Sequence, residues 1–262
     1  MNEFHEANRK DWNAAVRAGF GQVDNTKDWR ECYRDASKIF NKNELKWFSD
    51  TSGKKVCILG SGDNLAVFAL AGLGADVTSV DISEEQLAIA HKRASQLGVA
   101  VRFIRSDVTD LTDLNDDTYD IVYTGGHVAV WVSDLWQYYR EAVRILKPGG
   151  LFVVNEYHPF RRIWKETKNS LEIEFGYFNK GPHQWDRSEE IPDAEPRSLP
   201  SYEFHWTVSE YITAVVDVGT NLLLIDEFGD KPQAWEVASL GGLPEALLIV
   251  SEKKERLTKG AG

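Results

Sequence analysis

The pattern of apolar and polar positions changes twice along the chain. Over the first fifty residues apolar side chains fall at helical spacings. Phe4, Ala7, Trp12, Ala15 and Val16 are loosely compatible with one helical face. DWRECYRDASKIF and NELKWFSD continue the helical character, which predicts an N-terminal helical extension over residues 1–53. From Lys54 short apolar runs alternate with amphipathic ones. KVCILG, DVTSVDIS, VRFIRSD, YDIVYTGG and LFVVNEY read as strands. LAVFALAGLG, EEQLAIAHKRASQLG and DLWQYYREAVRIL read as helices, with Ser83 as the second one's N-cap. This alternation predicts a doubly wound, mostly parallel α/β sheet over residues 54–157.

After Tyr157 the alternation stops. Residues 158–205 are rich in aromatics, proline and charge, with LEIEFGYF as a possible strand. A stretch of this length inside a domain predicts an inserted cap or lid. The pattern resumes over 206–262 with a helix, TVSEYITAVVDVG, and two strands, NLLLIDEFG and EALLIVSEKK, so one domain is expected overall.

Composition adds a boundary to this picture. The chain has 262 residues, 42% of them hydrophobic, enough for a sizeable core. The net charge of −11 argues against broad binding to a nucleic-acid backbone, which requires clustered cations. It also gives a mild preference for a neutral or cationic ligand. Cys32 and Cys57 are too few for a disulfide framework or a thiolate metal site. The first dozen residues show no signal-peptide pattern, and no apolar run approaches bilayer length, so a cytoplasmic location without membrane association is expected. The 9 tryptophans avoid the stretch from Lys54 to His127 and fall in the extension, after the fourth strand, in the insertion or beyond it. Aromatic character therefore marks the parts expected to build a ligand pocket.

The first strand-to-helix turn carries the chemistry. Gly60-Ser61-Gly62 lets the backbone turn tightly and approach a ligand. Asp81, about 20 residues on at the end of the next strand, can accept both hydroxyls of a ribose. These two features indicate a nucleoside at the carboxyl edge of the sheet. A dinucleotide site would place a third glycine where Leu65 stands, and Asp63 would set negative charge beside a pyrophosphate.

VCILGSGDN, SVDIS, FIRSDVTDL, YDIVYTGG and REAVRILKPGGLFVV, in this order, resemble the motifs of class I S-adenosylmethionine-dependent methyltransferases. The resemblance covers roughly residues 54–156. It implies a Rossmann-like seven-stranded sheet whose last strand is antiparallel, with S-adenosylmethionine across the carboxyl ends of the first four strands. Gly60, Ser61, Gly62 and Asn64 match the loop at the cofactor's methionine end. Asp81 matches the ribose-binding acid and Ile82 the residue that packs on adenine. Asp107 and Val108 match the adenine amino contacts, and Thr124 and Gly125 the loop near the methionine amine. Ser61, Asp63 and Asn64 depart from the residues most frequent in that family.

The implied reaction is methyl transfer to an oxygen or nitrogen of a small-molecule acceptor. A general base helps where the acceptor is a hydroxyl or protonated amine. His127, His158 and His205 are the candidates, each at or beyond the carboxyl edge of the sheet. EYHPF and HWTVSEYITAVVDVG resemble a subgroup of small-molecule methyltransferases with a His-Pro pair after the fifth strand, which favours His158 and His205 as pocket residues. Trp12, Trp29 and Tyr33 are candidates to close over the site, and Arg161 and Arg162 to meet an acidic acceptor. The run Asp186-Arg187-Ser188-Glu189-Glu190 reads as a solvated loop. No metal-ligand spacing is present, and no metal is expected. A nicotinamide-dependent oxidoreductase and a non-catalytic S-adenosylmethionine-binding protein are the competing readings.

Overall fold

The computed structural model describes residues 1–19, 29–62, 65–191, 195, 198–229 and 236–255. Three N-terminal helices, α1 (Glu3–Arg17), α2 (Trp29–Arg34) and α3 (Lys42–Leu45), precede β1 (Lys55–Leu59). Then come α4 (Leu65–Gly72), β2 (Asp76–Asp81), α5 (Glu84–Leu97), β3 (Val101–Arg105), β4 (Tyr119–Gly125), α6 (Leu135–Ile145) and β5 (Leu146–Tyr157). The insertion contributes β6 (His183–Asp186) and β7 (Pro200–Glu203). The chain returns through α7 (Val208–Asp217), β8 (Thr220–Phe228) and β9 (Ala246–Lys253).

Seven strands form one sheet in the order β3-β2-β1-β4-β5-β9-β8. β1 pairs in parallel with β2 and β4, and β5 in parallel with β4. β9 runs antiparallel to both β5 and β8, as the motif resemblance implied. Side-chain alternation along β1 sorts two cores. Cys57 and Leu59 face Tyr138, Tyr139 and Ala214 of α6 and α7, whereas Val56 and Ile58 face Leu65 and Leu70 of α4 with Phe40 and Phe48 of the extension. The chain leaves β1 for β2 on one side and returns to β4 on the other. Their carboxyl ends therefore diverge into the crevice where such sheets bind ligands.

Residues 106–118 between β3 and β4 form turns. Asp, Thr and Asn dominate that segment, and their side chains bond to nearby backbone: the Asp107 carboxylate accepts the Thr109 amide at 3.0 Å. LEIEFGYF does not form a strand despite its apolar alternation. Its one sheet-like contact is an isolated bridge from Ile173 to Trp164, because no neighbouring strand offers it a ladder. The insertion's strands are instead β6 and β7, paired antiparallel.

Helix α1 lies against that ribbon. Asn8 in its second turn mimics a strand partner, accepting the Tyr202 amide at 2.7 Å and donating to the Tyr202 carbonyl at 3.0 Å. It also donates to the Trp131 carbonyl at 3.1 Å, so one side chain ties extension, insertion and the loop after β4 together.

Candidate active site

A cavity of about 510 Å³ opens at the carboxyl ends of β1, β2 and β4, roofed by α1 and the insertion. Its size suits a drug-sized ligand. Gly60 and Gly62 turn its floor with φ of +65° and +47°. A β-carbon on Gly60 would stand 2.6 Å from both γ-methyls of Val128, so glycine here is required by a close approach as well as by φ. A β-carbon on Gly62 would meet open space. The Ser61 hydroxyl is turned into the sheet, where it accepts the Ser79 hydroxyl at 2.8 Å.

Asp81 ends β2 as a buried carboxylate on the cavity wall. Its Oδ2 accepts the Gly62 amide at 2.9 Å and its Oδ1 the Ser83 amide at 2.8 Å. Burial pushes its pKa up, against these amides, which favour the ionised form. Each oxygen retains a lone pair with which a vicinal diol would offset the desolvation. Ile82, Asp107 and Val108 continue the same wall. Asp107 Oδ2 is held by His5 Nδ1 of α1 at 2.7 Å, and Oδ1 takes Thr109. Burial acts to raise the Asp107 pKa, but His5 and Thr109 prevail and leave it below the usual value. His5 Nε2 accepts the Ser133 amide at 3.0 Å, which fixes the tautomer with its proton on Nδ1. The acidic wall and glycine floor thus fit an adenosine-bearing cofactor.

Gly125 lies on the wall, where a β-carbon would collide with the Tyr123 hydroxyl. Thr124 does not line the cavity: it is fully buried, and its hydroxyl accepts Tyr138 at 2.6 Å. Asn64 lies outside the described residues. The three histidines separate. His127, at φ +90°, lines the cavity with its ring 4.4 Å from that of Tyr157. Arg162 Nη2 stands against the ring from behind, nearest to Nε2. Burial first, and then the Arg162 cation, hold the His127 pKa well below the usual range. A ring in this position is a neutral hydrogen-bonding wall and a weak proton acceptor. His205 lines a water-sized void behind His127 rather than the main cavity. Its Nε2 contacts Glu203 at 3.3 Å, and burial lowers its pKa against that partner. His158 lines neither space. Its Nδ1 accepts the Phe160 amide at 3.2 Å and its Nε2 donates to Glu227 at 2.7 Å, so it caps a short 3-10 turn.

Other candidates also sort by position. Trp12 lines the cavity edge-on to Trp131 at 5.4 Å, whereas Trp29 packs on Phe68 away from it. Arg161 forms a fully buried pair with Glu236 and Arg162 stands behind His127. Arg187, expected in a solvated loop, is on the cavity wall, since the insertion folds back and its guanidinium settles over Trp12. His5, Asn8 and Arg187 carry no local sequence signal, because each gains its role from a partner more than a hundred residues away. Among the described residues no cluster of His, Cys, Asp and Glu could hold a metal, and no helix is long and apolar enough to cross a membrane.

The family model described as "Methyltransferase domain" matches residues 58–154. "Uncharacterized methyltransferase YbaJ" of Bacillus subtilis is 28% identical over 185 residues, 66% of this chain and 68% of that protein. The ubiquinone biosynthesis O-methyltransferase of Paramagnetospirillum magneticum is 30% identical over 129 residues, 49% of this chain and 51% of its own length. Among solved structures, an S-adenosylmethionine dependent methyltransferase from Mesorhizobium loti shares the fold with a TM-score of 0.60 at 23% identity, covering 80% of this chain and 96% of that one. The [4+2]-cyclase SpnF also shares it, with a TM-score of 0.55 at 15% identity, covering 82% of each chain. Residues 58–154 thus match a methyltransferase domain, and the chain has the fold of S-adenosylmethionine-dependent methyltransferases.

Proposed function

We propose that the protein transfers a methyl group to an oxygen or nitrogen atom of a small planar acceptor. The observation that carries this reading is the continuity of one cavity from the Asp81 end, suited to a nucleoside, to an aromatic chamber of Trp12, Trp131, Tyr157 and His127. The distant O-methyltransferase relatives support an oxygen acceptor.

In this reading Asp81 takes the ribose hydroxyls, Ile82 and Val108 flank the adenine, and Asp107 accepts its amino group while His5 steadies the carboxylate. Gly60, Ser61, Gly62 and Gly125 present backbone to the methionine end. The bound cofactor supplies an electrophilic methyl with a good leaving group. The protein's work is then alignment in a chamber that excludes water. Trp12 and Trp131 orient a planar acceptor by their faces and edges. His127, kept neutral by burial and Arg162, orients the acceptor by hydrogen bonding and leaves deprotonation to the acceptor's own acidity.

Calorimetric titration with S-adenosylhomocysteine tests the cofactor end. Asp81→Ala is expected to weaken binding about thirtyfold or more, the scale of losing two hydrogen bonds to a charged group. Unchanged affinity refutes the assignment. Transfer of labelled methyl into a fractionated metabolite extract tests the acceptor class: label found only in protein or nucleic acid refutes it.

A further inference from the structure

Helix α1 buries four polar side chains, His5, Asn8, Asp11 and Asn13. A helix that docks for stability alone buries an apolar stripe, because buried polar groups cost free energy unless each finds a partner. α1 lies outside residues 58–154, which match the methyltransferase domain, yet two of these side chains reach the acids at the nucleoside end of the cavity.

Asp107 is reached directly. His5 Nδ1 donates to its Oδ2 at 2.7 Å, and Thr109 gives Oδ1 its amide at 3.0 Å and its hydroxyl at 2.8 Å. A carboxylate has about four acceptor directions, so these bonds leave one, on Oδ2 beside His5. The Ser133 amide, 3.0 Å from Nε2, keeps the His5 proton on Nδ1. The remaining direction therefore only accepts. A purine 6-amino group donates to it, whereas a 6-oxo group turns a lone pair against it. Burial favours the protonated form of Asp107, and His5 is the foremost group opposing this. Without His5 the carboxyl takes up a proton more readily and then donates to a 6-oxo group.

Asp81 is reached through one intermediary. Its Oδ1 accepts the Ser83 amide at 2.8 Å. The Ser83 hydroxyl donates to Asn13 Oδ1 at 2.7 Å and accepts the Gln86 amide at 3.2 Å, which fixes the serine at both ends. The Glu85 amide also points at Asn13 Oδ1, at 3.4 Å. Asn13 thus steadies the turn whose amide aims the Asp81 carboxylate.

We propose that His5 and Asn13 are positioning residues for the cofactor's nucleoside. His5 acts through Asp107 and sets the preference for a 6-amino purine. Asn13 acts through Ser83 and Asp81 and sets the preference for a ribose with both hydroxyls. This rests on the cofactor reading of the cavity. The glycine floor is backbone, but its two acids are aimed by a helix whose contacts come from 102 and 70 residues away in sequence.

Calorimetric titration of the full chain compares S-adenosylhomocysteine with its 6-oxo (inosyl) and 2′-deoxy analogues. The wild-type chain should prefer the adenosyl form over each analogue by about tenfold or more, the scale of one hydrogen bond to a charged group. His5→Phe should cut the preference over the 6-oxo analogue to about threefold or less and leave the preference over the 2′-deoxy analogue in place. His5→Asn, whose amide nitrogen can stand where Nδ1 stands, should restore most of it. Asn13→Ala should do the reverse, shrinking only the 2′-deoxy preference. Asn8→Ala loosens the same helix at Tyr202 and Trp131 without touching either acid, and should leave both preferences intact. A merely structural attachment of α1 predicts that every variant weakens the three ligands in parallel, with both ratios unchanged. That result, or equal binding of adenosyl and analogue forms by the wild-type chain, overturns the proposal while the cofactor reading stands. Failure of the wild-type chain to bind S-adenosylhomocysteine overturns both.

Discussion

The two ends of the cavity are built by different rules. The end proposed for the cofactor rests on backbone: positive-φ glycines, amides aimed at Asp81 and the carboxyl edges of adjacent parallel strands. Its parts sit close together in sequence, and each is required by local geometry. The end proposed for the acceptor rests on tertiary pairs: Arg187 with Asp11, Trp12 with Trp131, Arg162 with His127. An end built from backbone tolerates almost no side-chain change. An end built from pairs can be re-specified by one substitution, which is where acceptor choice can diverge on a shared fold.

The sharpest way to break this comparison is to insert a side chain on the cofactor floor. Gly60→Val would place a β-branched residue at φ +65° and drive its β-carbon into Val128. Cofactor affinity should fall by about a hundredfold or more, read as the S-adenosylhomocysteine dissociation constant. A cofactor end that tolerated valine would show that its geometry is not fixed by backbone.

Glu156 joins the two ends, and its variant is the next largest effect. It lies on β5 with 2% exposure, and its Oε1 accepts the Ala129 amide at 3.1 Å, which pins the loop carrying His127 and Val128. Burial pushes its pKa from 4.5 up to about 7, against the Ala129 and Val128 amides. A carboxyl raised this far binds more protons folded than unfolded between those values, so stability falls as pH rises through that window. The accumulated loss is about 3 kcal/mol above pH 7. Glu156→Gln keeps an oxygen acceptor and removes the charge. It should raise stability at pH 8 by about 2 kcal/mol and flatten the dependence between pH 5 and 7, measured by urea denaturation. An unchanged slope would place the titration elsewhere.

The same division explains what the sequence makes legible. Strand ends, the glycine turn and Asp81 are readable because period-2 apolar runs, glycines and one acid at a fixed distance have a direct geometric meaning. The helical extension follows from the helical spacing of its apolar residues, and the antiparallel last strand from the resemblance to class I methyltransferases. The insertion is legible as an aromatic stretch outside the alternation, but its strands are not. LEIEFGYF has the alternation of a strand and no ladder partner, while HQWD and PSYE pair because the chain folds back between them. The histidines show the limit most clearly. Three share one sequence context at the sheet edge, yet one faces the cavity, one a small void and one a cap, since their directions depend on Arg162, Glu203 and Glu227. Arg187 sits in an acidic run that reads as solvent-facing, and only the fold brings Trp12 beneath it.

A smaller effect sharpens the view of His127 as a neutral wall. Arg162→Gln removes the cation beside its ring, so the His127 pKa should rise while staying below that of an exposed histidine, because burial persists. Titration of its ring proton by NMR between pH 4 and 8 reads this directly. No movement would mean that burial alone sets the value.

His158 supplies the smallest expected effect and a control on the division. Its ring is buried, with Nδ1 capping Phe160 and Nε2 on a half-exposed Glu227. Burial lowers its pKa, and Glu227 only partly opposes this. A histidine whose folded pKa lies below its unfolded one stabilises the fold above the unfolded value of 6.5, and that contribution is lost as pH falls. His158→Gln should cost about 1 kcal/mol at pH 8, the scale of one cap, and should shrink the loss of stability between pH 7 and 5. Affinity for S-adenosylhomocysteine should not move, because the ring does not line the cavity. A change in that affinity with stability unaltered would place His158 on the cavity, and its boundary would have to be redrawn along β5.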